Sequence, residues 1–386
     1  MEKFYYLDNA ATTKVFEEVF DLMKQNNDEL FYNPSASYSK ALSAKKVLND
    51  ARKQLSNLLK ATAGKFYFTS SATESNNTVF EGVHLRVGDE ILISKGEHPS
   101  VYNAAHRLEK KGIIVKDINL TENGLVDENH LTSLLTDKVK LVSIIHVSNE
   151  TGAINDIKRL VKLVKAFNSK IIFHSDGVQA FGKIKVNLQD LGVDLYTVSA
   201  HKIYAPRGIA GLYVKTGVVI DSFIVGGGQE DNFRSSTENV AGAIAFAYSA
   251  SKVLSEIDKN FDTVLTLKNE FLNKLKNSNI NEFLKINSNE TNSPYILSLS
   301  FSKIKGEVLM YALEQDRIYV STGSACSSKK AGNRILEAMG VSQDDVIGSL
   351  RVSFSPYFEY DLDYIVECFE KNVLRFEKNV NVNVKK

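Results

Sequence analysis

The amino-acid sequence predicts an α/β protein, with a doubly wound and mostly parallel sheet followed by a smaller α+β domain. Two observations predict it. From Lys65 to Ser199, short β-branched runs alternate with amphipathic segments, and after Thr237 a long apolar pattern at helical spacing leads into a separate strand, helix and strand. The runs are Lys65 to Thr69, Glu90 to Ser94, Ile113 to Asp117, Lys140 to Val147, Lys170 to His174 and Asp194 to Ser199. Helical patterns between most of them imply parallel neighbours joined by crossovers. A further apolar strand follows Gly208. The helical pattern from Thr237 to Lys276 runs through Ala243, Ala247, Val253, Leu254, Ile257, Phe261, Leu265 and Leu272, with Gly242 as its internal glycine, and suits a connection between domains. Beyond it, Tyr295 to Phe301 reads as a strand, Gly306 to Gln315 as a helix and Leu350 to Phe354 as a strand. The expected division is a large domain over 14–257 and a small one over 258–386, joined by the segment 1–13.

Composition narrows the function. The 386 residues are 43% hydrophobic and 24% charged, ordinary for a globular chain with a substantial core. A formal net charge of +1 with no basic tract gives no footprint for nucleic acid and no polybasic membrane anchor, so a small molecule is the expected partner. The start of the chain lacks the features of a signal peptide, and no stretch approaches the roughly 20 apolar residues of a membrane span, so a soluble, cytoplasmic protein is expected. Two cysteines, Cys326 and Cys368, stand in unlike contexts, and seven scattered histidines show no ligand spacing. Neither a disulfide nor a metal centre is expected.

In doubly wound sheets the ligand sits beyond the carboxyl ends of the strands, so the residues just after each run matter most. Thr69 leads into Ser70-Ser71-Ala72-Thr73-Glu74, a hydroxyl-rich turn opening a helix. Such a turn offers free N–H groups to a phosphate, and it equally suits a plain cap with a capping box. Ile171-Ile172-Phe173 ends in His174-Ser175-Asp176, a carboxylate at the ligand edge or a cap. The next run ends in Ser199-Ala200-His201-Lys202. A lysine there, partly desolvated, has the lowered pKa a Schiff-base amine requires, although most lysines are surface charges. A phosphate cradle, a strand-end Asp and a strand-end Lys together are the three parts of a pyridoxal-phosphate site.

At these residues the sequence resembles the NifS-like cysteine desulfurases of the class-V aminotransferase family, which are fold-type-I pyridoxal-phosphate enzymes. The resemblance spans nearly the whole chain and stands on Tyr6-Leu-Asp-Asn-Ala-Ala-Thr-Thr13, Phe68-Thr-Ser-Ser-Ala-Thr-Glu-Ser-Asn-Asn77, Glu97-His98-Pro99, Ser148-Asn-Glu-Thr-Gly152, His174-Ser-Asp-Gly-Val-Gln179, Ser199-Ala-His-Lys202, Gly226-Gly-Gly-Gln-Glu230, Arg234-Ser-Ser-Thr237 and Ser321-Thr-Gly-Ser-Ala-Cys326. It implies a large domain with a mostly parallel seven-stranded sheet and pyridoxal 5'-phosphate as cofactor. Lys202 would hold the cofactor as an imine, Asp176 would pair with its ring nitrogen and Gln179 with its ring hydroxyl. His98 would stack on the ring and relay a proton, and Ala72, Thr73, Ser199 and His201 would hold the phosphate. Thr237 would reach the phosphate of a second subunit, which implies a homodimer. Asn149, at the cofactor edge, and Arg351 would receive the substrate carboxylate, for which a guanidinium fork is apt; a structural ion pair is the other reading of Arg351.

The implied reaction converts L-cysteine to L-alanine, leaving a persulfide on Cys326 for delivery to an acceptor protein in iron-sulfur cluster assembly or tRNA thiolation. Cys326 lies among Ser, Thr, Gly and Ala without apolar periodicity and reads as an accessible thiol, whereas Cys368 in Tyr364-Ile-Val-Glu-Cys-Phe369 reads as core packing. The rivals are a selenocysteine lyase or another lyase or transaminase of the same fold, and a catalytically silent carrier. The chain departs from the family pattern at Tyr38 and Ala41, where His and Gly are usual, at Ser71 and Ser236, where Gly is usual, and at Asp231, where Arg is common.

Overall fold

The structure, a computed structural model, describes residues 3–323 and 333–383. After a short strand β1 (Tyr5–Tyr6) come two helices, α1 (Glu17–Glu29) and α2 (Ser39–Leu58). The alternating region follows as β2 (Gly64–Thr69), α3 (Ala72–Gly82), β3 (Glu90–Ser94), α4 (Pro99–Arg107), β4 (Ile114–Ile118), α5 (Glu128–Leu134), β5 (Val139–Ser143), α6 (Ile157–Phe167), β6 (Ile172–Asp176), α7 (Leu188–Leu191), β7 (Leu195–Ser199) and β8 (Ala210–Lys215). These strands form one seven-stranded sheet in the order β2-β8-β7-β6-β5-β3-β4. Neighbours from β7 through β4 are parallel, and β8 runs antiparallel to both β7 and β2. The connection from β7 to β8 is too short for a helical crossover, which forces the reversal.

Some helices form where the sequence supplies both a cap and an apolar stripe. In α6 the Asp156 carboxylate accepts from Arg159 N at 3.0 Å, and Ile157, Leu160, Val161 and Val164 bury one face. Central strand β7 is buried at every position, as a strand covered on both faces must be. The run expected from Lys140 to Val147 pairs as a regular strand only to Ser143. Beyond it the chain stays tied to β6, with Ile144 N donating to His174 O and His146 N to Asp176 O. On the other side β3 has ended, and side chains take over: Ile145 N donates to Glu97 Oε1 at 2.6 Å, and Ile145 O accepts from Asn155 Nδ2 at 2.8 Å. The sheet opens there, at its carboxyl edge.

The long helical pattern is two helices, α8 (Val240–Ser255) and α9 (Ile257–Lys276), broken at Glu256 with φ −112° and ψ 15°. Neither Gly nor Pro marks the break. α8 is rich in small buried residues and packs into the large core, while Val264, Phe271 and Leu275 of α9 belong to a second core. That core holds β9 (Leu284–Ile286), β10 (Ile296–Phe301), α10 (Gly306–Gln315), β11 (Ile318–Tyr319), β12 (Ser349–Ser353) and α13 (Leu362–Asn383) around or beside a three-stranded sheet ordered β12-β10-β9, whereas Ile335 and Leu336 of α11 (Arg334–Ala338) and Val346 of α12 (Gln343–Ile347) bury in the large core. Strand β1 pairs in parallel with β11, and Tyr5, Leu7 and Ala10 pack into the second core. Cys368 is buried in α13.

Two of the departures from the family pattern differ in conformational cost. Ser71 has φ −164°, extended backbone open to any residue. Ser236 has φ 139°, which glycine tolerates and a Cβ strains. Ser236→Gly is therefore expected to stabilise the fold by about 1 kcal/mol. Urea titration checks this; an unchanged midpoint would mean that no strain is stored there.

Candidate active site

Four strand ends and the segment Asn9 to Thr13 converge at the carboxyl edge of the sheet. Asp176 is the last residue of β6 and is buried at 3% exposure. Its Oδ2 accepts from Asn76 Nδ2 at 2.9 Å and its Oδ1 from Val178 N at 3.0 Å. Among the described residues no cation lies within salt-bridge distance of it. A buried carboxylate held only by neutral donors calls for a charged partner. His174, two residues before it, is bracketed by Ser143 Oγ at 2.9 Å and Thr197 Oγ1 at 3.1 Å, and burial holds its pKa down to about 3.

Lys202 ends the short 3-10 turn that follows β7. Its Nζ donates to Ala10 O and Ala11 O, each at 2.6 Å. Burial, with the Arg351 charge adding to it against Asp8 and Asp176, lowers its pKa from 10.5 to about 8. The amine is thus nucleophilic near neutral pH. Gln179 donates from Nε2 to the same Ala10 O at 2.8 Å, and its Oε1 accepts from the buried Lys183 Nζ. Among the described residues the amide's second hydrogen has no acceptor. His201 Nδ1 lies 3.2 Å from Thr12 Oγ1, and burial followed by the charges of Lys202 and Arg207 brings its pKa to about 4, so it is neutral at pH 7.

The hydroxyl-rich turn is both of the things its sequence allowed. Ser71 Oγ accepts from Glu74 N at 3.1 Å, and the Glu74 carboxylate accepts from Ser70 N at 3.0 Å, in the manner of a capping box. Arg234 clamps the same carboxylate through Nε at 2.7 Å and Nη2 at 3.1 Å, cancelling a negative charge beside the turn. Ala72 and Thr73 open α3, so their N–H groups have no intrahelical acceptor. A cleft of about 390 Å³ lies against the turn, lined by Ser70, Ser71, Ser199, His201 and Arg207 among others. Thr237 is exposed and lines a smaller neighbouring cavity that shares Ser70, Gly208 and Ile209 with that cleft.

Arg351, on β12, brings the second core to the site. It is buried at 6% exposure, donating from Nη2 to Asp8 Oδ1 at 2.9 Å and from Nη1 to Asn149 O at 2.9 Å, with Glu150 Oε1 3.5 Å from Nη1. It therefore has the structural ion pairs and also a spare donor. Arg351 Nε and Asn149 Oδ1 are buried without a hydrogen-bond partner among the described residues. Glu150 Oε1 accepts from Asn149 Nδ2 at 2.9 Å and its Oε2 from Asn333 Nδ2 at 3.0 Å. A Cβ at Gly323 would fall 2.2 Å from Glu150 Oε2, so glycine is required there. Gly323 and Asn333 are thus both seated at Glu150, next to Arg351. Cys326 lies outside the described residues.

The structure brings Lys202, Asp176, Gln179, His98, His201, Ser199, Ala72 and Thr73 to one sheet edge, with Asn149 and Arg351 beside them. Sequence reasoning missed Asp8, Asn76, Ser100, Glu150 and Lys183. Asp8, Asn76 and Glu150 lay inside quoted motifs, and their polarity next to site residues was the available signal. The site's donor set fits pyridoxal phosphate: an uncompensated buried carboxylate for a ring N–H, a low-pKa amine for an aldehyde, and free helix N–H groups with hydroxyls for a phosphate.

The aminotransferase class-V family profile matches residues 5–362. The chain is 35% identical over 377 residues to cysteine desulfurase IscS of Dictyoglomus turgidum, covering 96% of this chain and 95% of that protein. Among solved structures, a NifS-like protein superposes with a TM-score of 0.89 at 30% identity, covering 97% of this chain and 100% of the other. A NifS-like protein from Rickettsia africae gives 0.85 at 30% identity, over 96% and 99% of the two chains.

Proposed function

The chain belongs to the class-V aminotransferase family and is a cysteine desulfurase, and from that premise we propose how its residues divide the work on L-cysteine. The observation that carries the reading is the pairing of a cation-free buried Asp176 with the low-pKa amine of Lys202 at one sheet edge. Pyridoxal 5'-phosphate is the cofactor, held by Lys202 at its aldehyde, Asp176 at its ring nitrogen, Gln179 at its ring hydroxyl, His98 on its face, and Ala72, Thr73, Ser199 and His201 at its phosphate. When bound, it supplies an electron sink for bond breaking at the substrate Cα.

Arg351 and Asn149 take the substrate carboxylate, using the guanidinium Nε that has no partner among the described residues. That contact sets the Cα proton toward Lys202, whose neutral Nζ removes it as general base. The thiolate of Cys326 then attacks the substrate sulfur: the S–S bond forms as the C–S bond breaks, and the three-carbon remainder, protonated, leaves as alanine. The persulfide on Cys326 passes to an acceptor protein of iron-sulfur assembly or tRNA thiolation.

The working unit in this proposal is a cytoplasmic homodimer in which Thr237 serves the partner's phosphate. The exposed Phe223 and Val225, on the same segment as Thr237, support a covered surface there, as do Phe20 and Phe31 near the chain start. No helix among the described residues is long and apolar enough to cross a membrane. The division of the chain at 257/258 belongs to the same proposal and is supported by the break at Glu256, with α8 in the first core and α9 in the second; Ile335, Leu336, Met339 and Val346 return to the first core.

Asp176→Ala is expected to weaken cofactor retention and lower kcat together, by about 100-fold or more, because the ring proton loses its charged partner. Cofactor titration followed by absorbance, alongside alanine release from L-cysteine, checks both. Wild-type retention and rate in that variant would assign the ring nitrogen to another residue.

A further inference from the structure

His98 is the N-cap of α4, with Pro99 in the first turn, and its side chain is exposed. Its Nδ1 accepts from the main-chain N–H of Ser100 at 3.1 Å. An amide N–H can only donate, so Nδ1 carries its lone pair, and in the neutral ring the proton sits on Nε2. A second group addresses the same nitrogen, since Ser100 Oγ lies 2.8 Å from Nδ1. Asn76 decides which way that hydroxyl points. Its Nδ2 donates one hydrogen to Ser100 Oγ at 2.8 Å and the other to Asp176 Oδ2 at 2.9 Å. Turning the Asn76 amide over would set its oxygen against the Asp176 carboxylate, so the anion fixes the amide. The amide in turn fills an acceptor site on the hydroxyl, and the hydroxyl proton is left for His98 Nδ1.

We propose that Asn76 and Ser100 are positioning residues that hold His98 as a neutral imidazole with its proton on Nε2, a hydrogen-bond donor rather than a cation or a base, with the chain of contacts anchored on Asp176. Protonating Nδ1 would set an N–H against the Ser100 main-chain N–H and force the hydroxyl proton to turn away. The charges facing the ring act in the same direction on balance. Desolvation by the protein atoms around the ring is the largest influence against the cation; Asp176 favours it, while Lys202, Arg351 and Arg334 oppose it, and the pKa is lowered. The positive end of α4 adds to that opposition. A neutral N–H donor at a helix N-terminus stabilises negative charge developing on a substrate without changing its own charge, which leaves removal of the Cα proton to Lys202. The linkage also means that the carboxylate reading the ring nitrogen sets the state of the group on the ring face.

The inference rests on His98 facing the cofactor, and NMR of the full-length chain with 15N-labelled histidine keeps the two apart. Spectra are taken with and without pyridoxal phosphate, and His98→Gln identifies the signal. Expected at pH 7 is an unprotonated Nδ1 with a protonated Nε2 in both states. Ser100→Ala is expected to raise the pH at which the ring protonates by about 0.5 to 1 unit, the worth of one lost hydrogen bond, and Ser100→Thr to restore the wild-type value. A proton on Nδ1 in the wild type, or an unmoved midpoint in Ser100→Ala, overturns the proposal. A Nε2 signal indifferent to the cofactor would remove His98 from the cofactor face and leave the hydrogen-bond chain standing.

Discussion

Lys202→Ala is expected to abolish the visible absorbance of bound cofactor and to lower alanine release from L-cysteine by at least about 10,000-fold, because in the proposed assignment one amine both holds the aldehyde and removes the substrate proton. Lys183 is the nearby alternative, and its side chain is buried and donates to Gln179 Oε1, whereas Gln179 turns its Nε2 to the Ala10 carbonyl that Lys202 also meets. The pH dependence of cofactor capture tests the same assignment in the wild type. Since the Lys202 pKa is lowered to about 8, the neutral amine is the main form above that pH and falls tenfold for each unit below it. Capture by the cofactor-free chain should therefore rise with pH to a plateau just above 8. A lysine with an ordinary value of 10.5 would still be gaining at pH 10. A Lys202→Ala protein that kept the absorbance, or a capture rate rising steadily to pH 10, would place the amine elsewhere.

What could be read from sequence divides along a physical line. Lys202 and Asp176 were legible because each ends an apolar run, and the carboxyl edge of a parallel sheet is a place defined by chain direction alone. The order of the strands was less so. β8 enters the sheet between β2 and β7, so that its pairing with β2 joins residues far apart in sequence, although the short Ala200–Ile209 connection excludes a parallel pairing of β8 with β7. The break at Glu256 left no mark, since the apolar spacing continues through it and the two helices differ only in which core receives them. The hidden part of the site is of the same kind. Asp8 meets Arg351, Asn76 meets Asp176, and Glu150 meets Asn333, each across a separation that no local pattern records. The strain at Ser236 is invisible too, because a serine spells nothing about its φ until the turn around it is fixed.

Substituting Ser for Cys326 is expected to lower alanine release by about 1,000-fold or more while leaving cofactor binding intact, and this separates desulfuration from every other use of the fold. A hydroxyl keeps the size and polarity of the thiol, yet at neutral pH it is far less able to attack sulfur, since the thiolate is the nucleophile and a serine alkoxide is not populated. The proposed binding through Arg351 and Asn149 and proton removal by Lys202 do not involve position 326, so the cofactor spectrum should still change when cysteine is added. Cys368 supplies the internal control. It is 4% exposed within α13, burial raises its thiol pKa, and Cys368→Ser should leave the desulfuration rate unchanged while costing about 1 kcal/mol of stability for a polar group placed in the second core. Mass spectrometry after brief exposure to L-cysteine should find one added sulfur on the peptide containing Cys326 and none on that containing Cys368. Alanine formed at full rate by Cys326→Ser, or added sulfur on Cys368, would overturn the thiolate assignment, since a lyase acting on the same bound substrate needs Lys202 and Asp176 but no cysteine of its own.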